Sequence, residues 1–203
     1  FSSDSYRNMY IFLTNSVLNL RLIVFILLSN LIFTQTKNSI KNILIDKEYD
    51  SKSFFVGGTI GHGDLLRPNI TQLFLSEFTY LTPANSFKQT AIHPRPGVWN
   101  WKKYDDFIDF AEKNNLTLRV HGPVSPQASR WAKNDNRTKE ELLKNMEEFF
   151  TELCIRLNDE KTVKWMDVVN ETVLRNGEWF KEKPGDTAWE NPWTQICLLY
   201  TSP

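Results

Sequence analysis

The chain has 203 residues, with 41% hydrophobic and 24% charged, the balance of an ordinary globular protein with one full core. Its formal net charge is +0 and its Lys and Arg are scattered, so no basic footprint marks it for nucleic acid or for an anionic membrane surface. Two distant cysteines, Cys154 and Cys197, lack the histidine spacing of a metal site, and no metal or cofactor is expected.

The run RLIVFILLSNLIF begins at Arg21. It has the length of a signal-peptide core and falls short of the ~20 residues that cross a bilayer. Residues 1–37 are therefore expected to be upstream residues plus a signal peptide, with Met9 a natural start, and the protein to be secreted, extracellular or periplasmic. An uncleaved anchor is the alternative, and would be its one attachment to a membrane. Residues 38–52 are polar and read as a linker with room for a short helix.

From there strands and helices alternate. Phe54–Ile60 reads as a strand whose glycines mark a close backbone approach. A loop follows with His62 and Asp64, then a short helix at Asn69–Ser76. Phe78–Leu81 is the second strand, leading to Asn85 and Lys88, and His93–Gly97 is a loop. Tyr104, Phe107, Ile108 and Ala111 recur at helical spacing, with the acidic residues on other faces. Leu116–Val120 is the third strand, ending at His121. Thr138 and Glu141 form a capping box, and Leu142, Met146, Phe149, Phe150, Leu153 and Leu157 mark the buried face of the helix they open. Lys164–Glu171 is a fourth strand, apolar enough to be buried on both sides, and it ends in Asn170 and Glu171. On this pattern alone, Glu171 is either a catalytic carboxylate or a plain strand cap.

Alternating units predict a parallel sheet. Four strands in a row deliver polar groups at one end: His62 and Asp64, Asn85 and Lys88, His121, then Asn170 and Glu171. That is the arrangement of a TIM (β/α)8 barrel. The fold class is α/β, the N-terminal half of such a barrel with about four β/α units, because a complete barrel needs roughly 250 residues.

The motifs Leu81-Thr82-Pro83-x-Asn85-x-x-Lys88, Arg119-x-His121 and Trp165-x-Asp167-Val168-Val169-Asn170-Glu171 occur in that order, with Pro96–Trp101 between the first two. In them the chain resembles glycoside hydrolase family 10, mainly endo-β-1,4-xylanases, over Phe54 to about Ile196. The resemblance implies a retaining barrel enzyme with Glu171 as acid/base. It implies sugar contacts from Asn85, Lys88, His121 and Asn170, with Gln127 in place of a family glutamine. Residues 53–196 would be the partial catalytic domain, and residues 197–203, which fit no family pattern, an artefactual tail. The partner would be a polysaccharide, and the full-length protein a monomer.

The departures bear on substrate. Ala84 stands where the family has a glutamate, and Gly122–Gln127 is shorter than the family loop and lacks its tryptophan and second histidine. The nucleophile is expected outside this chain: Thr151-Glu152-Leu153-Cys154 resembles its motif but falls inside a helix. Another retaining β-glycanase of the same clan, such as a mannanase or cellulase, and a non-catalytic carbohydrate-binding barrel remain open alternatives.

Overall fold

The computed structural model describes residues 39–46, 55–134, 136–179 and 191–196. The expected leader at residues 1–37, the tail at 197–203 and Cys197 lie outside them. The chain divides into two units, residues 1–51 and 52–203. In the first, helix α1 (Ile40–Asp46) falls within the stretch read as a linker. Among the described residues no helix is long and apolar enough to cross a membrane.

The second unit is built on four parallel strands, β1 (Gly57–Ile60), β2 (Tyr80–Pro83), β3 (Thr117–Val124) and β4 (Val163–Val169), in the order β1-β2-β3-β4. Helix α2 (Pro68–Glu77) joins the first pair. A one-turn helix α3 (Gln89–Ile92) and α4 (Lys102–Lys113) join the second, and α5 (Lys139–Leu157) joins the third. Sequential neighbours paired in parallel through helices are the staves of half a (β/α)8 barrel.

Alternation sorts the strand residues between two faces. Ile60, Leu81, Leu118 and Val120 are buried in one core with Phe74 of α2, the Tyr104, Phe107, Ile108 and Ala111 stripe of α4, and Leu142, Met146, Phe149 and Leu153 of α5. Each large side chain fully buried there contributes about 1.5–3 kcal/mol. Phe150 and Leu157, expected on the same stripe, are half-buried against that core. Gly58 explains the strand-one glycines: a Cβ on it would lie 2.8 Å from the Phe74 ring. The capping box holds, with Glu141 N–H donating to Thr138 Oγ1 at 3.1 Å and Thr138 N–H to Glu141 Oε2 at 2.9 Å.

Several boundaries move. The loop after β1 is a 3-10 turn over His62–Leu66. The second strand starts two residues later than expected, because Phe78 still closes α2 by donating its N–H to Phe74 O at 2.9 Å. The third strand runs on to Val124 through a register shift between His121 and Val124. The fourth strand covers Val163–Val169 and stops short of Asn170 and Glu171. Trp165, Val168 and Val169 are 41%, 47% and 52% exposed because β4 ends this four-stranded sheet, on surface that the other half of a complete barrel covers.

On the opposite face of the sheet is an open concavity of about 640 Å³, lined by Phe55, Tyr80, Thr82, Thr117, Arg119, Trp165 and Asp167 among others. The rings of Phe55, Tyr80 and Trp165 cluster there, with centroids 5.1, 5.0 and 5.8 Å apart in pairs. In a complete barrel this space is filled by inward side chains from all eight strands. It is barrel interior, and the chemistry is to be sought at the C-terminal ends of the strands.

Candidate active site

The loop after β2 carries Asn85 and Lys88. Lys88 is the N-cap of α3, and its carbonyl accepts from Ala91 N–H at 2.9 Å and Ile92 N–H at 3.2 Å. Directly behind it, the Gln89 amide donates to the His93 carbonyl and, at 2.9 Å, to Asn145 Oδ1 of α5. These groups are buried, so a polar staple inside the core holds the residue next to Lys88. Lys88 itself is 3% exposed, and its Nζ donates to Gln127 Oε1 at 3.3 Å, tying the β2 loop to the β3 loop. Burial pushes the Lys88 ammonium below the ordinary lysine range, while the negative charge of Glu171 pulls it back up. Lys88 thus meets groups from both following loops, through a hydrogen bond to Gln127 and through the charge of Glu171.

His121 sits opposite Asp167 in the parallel register. Its Nδ1 lies 2.6 Å from Asp167 Oδ2, and Arg119 Nη2 lies 3.1 Å from the same oxygen. An ionised carboxylate can only accept, so the proton of this bond is on Nδ1, which leaves Nε2 for other partners. Asn170 follows β4, and its backbone N–H donates to Val124 O at 2.9 Å. Glu171 has φ +54, in the left-handed region, and is exposed.

Lys88 is bonded to Gln127 and feels the charge of Glu171, while His121 lies within β3 and Asn170 just past β4. Asn85 stands apart: its side chain is exposed, and its backbone carbonyl accepts from Lys88 N–H at 3.4 Å. Two groups expected at the rim serve other purposes. His62 Nε2 bonds Asp106 Oδ2 of α4 at 2.7 Å, and Asp64 accepts from Gly61 N–H at 2.8 Å to close the 3-10 turn. The apolar surroundings expected to hold a proton on Glu171 are not formed by the described residues, because β4 is the sheet edge there. Glu152, in the string that resembles the nucleophile motif, lies exposed on α5 beside the buried Leu153.

Asp167 and Arg119 belong to the family-like motifs, yet the sequence assigns them no role. No local signal marks Asp167: Glu171 lies past β4 at φ +54, so strand alternation does not relate the two, and the pairing of Asp167 with His121 needs the sheet register. Among the described residues no group of three or more His, Cys, Asp or Glu is arranged to hold a metal ion. What the site offers is a carboxyl group, an ammonium, amides and an oriented imidazole: hydrogen-bonding groups suited to hydroxyls, with one proton donor or acceptor for an acid/base step.

Comparison with known proteins shows the family. The model of glycosyl hydrolase family 10 matches residues 45–197. The chain is 31% identical over 152 residues to a beta-1,4-xylanase of Dictyoglomus thermophilum, covering 74% of this chain and 40% of that protein. It is 29% identical over 145 residues to endo-1,4-beta-xylanase A of Xylanibacter ruminicola, covering 68% and 38%. Among solved structures, a psychrophilic glycoside hydrolase family 10 endo-beta-1,4-xylanase superposes with TM-score 0.60 at 26% identity, over 78% of this chain and 47% of that one. Xylanase 10B of Thermotoga petrophila, solved with xylobiose, gives 0.61 at 25% identity, over 80% and 46%. The chain thus spans less than half the length of these relatives, in keeping with four of eight barrel units. By family model, sequence and fold together, this chain belongs to glycosyl hydrolase family 10.

Proposed function

We propose that the full-length protein hydrolyses internal β-1,4-glycosidic bonds of a plant-type polysaccharide, xylan or a related hemicellulose, by a retaining double displacement. Glu171 protonates the leaving oxygen and then deprotonates the attacking water. Its nucleophilic partner comes from outside these 203 residues. Such a pair works when the two carboxyl groups stand about 5–5.5 Å apart. Asn170 holds the sugar 2-hydroxyl, a contact that tightens as positive charge develops on the ring. Lys88, Gln127, His121 and Asn85 bind the remaining hydroxyls. The protein acts outside the cell as a monomer, without metal or cofactor.

What supports this reading is membership of glycosyl hydrolase family 10, together with the Lys88–Gln127 bond at 3.3 Å between the β2 and β3 loops and the pull of the Glu171 charge on Lys88. The test is stereochemical. Proton NMR of the first product formed from xylo-oligosaccharides by the full-length enzyme should show the β-anomer. An α-anomer formed first would contradict the double displacement.

A further inference from the structure

Gly122 lies within β3 at φ +58 and is buried. A Cβ added to it would fall 2.9 Å from Asn170 Cβ, 3.3 Å from its Nδ2 and 3.4 Å from its Cγ. Two separate constraints therefore meet at this position. The backbone is in a region that side-chain-bearing residues seldom adopt, and the space a side chain would enter belongs to Asn170.

The neighbourhood explains why the approach is so close. His121 pairs with Asp167 and Val124 with Val169, so three steps along β3 match two along β4. β3 thus carries one extra residue at Gly122–Pro123. An extra residue in one strand bends it and re-aims the residues beyond the bend, and glycine in the left-handed region is a common way to build one. The bend lets Val124 O accept the Asn170 N–H at 2.9 Å. Asn170 is then held from one side by this bond and met from the other by the bare α-carbon of Gly122. Glu171 comes directly after it, itself at φ +54, so its direction depends on where Asn170 is fixed.

We infer that Gly122 is a positioning residue for the acid/base step: its missing side chain sets Asn170, and through Asn170 the direction of Glu171. This rests on the reading of Glu171 as the acid/base. Gly122 need not touch the sugar, and it acts through the pair beyond it.

The experiment uses the full-length enzyme with Gly122→Asn. Asparagine tolerates the left-handed region better than other side chains, so the backbone is kept while a Cβ is pressed against Asn170. The substrates are aryl β-glycosides spanning good and poor leaving groups, together with the polysaccharide. Acid catalysis matters most for poor leaving groups, so kcat/KM on these and on polysaccharide should fall about 100-fold, with a loss under about 10-fold for a dinitrophenyl glycoside. A uniform loss across the series, or values like wild type, overturns the inference while leaving the glycosidase reading in place. A wild-type enzyme with no glycosidase activity overturns that reading and the inference with it. Should Gly122→Asn fail to fold, a thermal-unfolding cycle of Gly122→Ala with Asn170→Gly decides. Removing the Asn170 side chain should raise the melting temperature in the Gly122→Ala background and lower it in the parent. Additive effects overturn the inference.

Discussion

His121 Nδ1 and Asp167 Oδ2 face each other at 2.6 Å across β3 and β4, and Arg119 Nη2 bonds the same oxygen at 3.1 Å. The carboxylate thereby holds the imidazole in one orientation, with Nε2 left for another partner. Asp167→Asn keeps the shape and removes the charge. It should lower kcat on polysaccharide about 10- to 100-fold, the cost of a small misplacement at a reacting centre. The pair is partly exposed and screened, so stability should change by about 0–1 kcal/mol. Steady-state kinetics and thermal unfolding of the full-length variant check both.

Lys88 supplies a pH-dependent prediction. Its folded pKa lies below its ordinary value because burial disfavours the ammonium. Between the lowered folded value and the ordinary one, the unfolded chain binds more protons, so stability rises with pH through that window; below it the full penalty is present. Lys88→Met should therefore be at least as stable as wild type near neutrality and lack that alkaline rise. Loss of a charged hydrogen bond to the sugar should cost about 10- to 100-fold in kcat/KM. Chemical denaturation across pH, read as the difference between variant and wild type, separates the two effects.

Asn145→Leu should destabilise the fold by about 1–3 kcal/mol, because it leaves the buried Gln89 amide without its side-chain partner. As Gln89 adjoins Lys88, KM should rise as well. Thermal unfolding together with kinetics reads this.

Expressed as these 203 residues alone, the chain should be inactive and prone to aggregate. β1 and β4 both end the sheet, and Trp165, Val168 and Val169 are exposed at the β4 edge. Size-exclusion chromatography and calorimetry check this; an active monomer with a cooperative transition would contradict it.

The longer helices were legible because their information is local. The Tyr104–Ala111 stripe and the Thr138–Glu141 box state both the helix and its orientation within a few residues. The four strands were legible for the same reason, to within a few residues at their ends. What the sequence hid was non-local. His62 reads as a rim residue until it is seen bonded to Asp106, 44 positions away. Asp167 reads as a strand polar until the register sets it against His121. The one-turn α3 is too short for a periodic pattern, yet it is what carries Lys88 into the site.

The central claim is that Glu171 is the acid/base, and Glu171→Ala in the full-length enzyme tests it most directly. The variant should lose about 100-fold or more on polysaccharide, the usual share of a positioned acid. It should still glycosylate rapidly with dinitrophenyl glycosides, whose leaving group needs no proton, and added azide should restore turnover by replacing the water that Glu171 activates. A Glu171→Ala enzyme that cleaves polysaccharide at the wild-type rate would contradict the account.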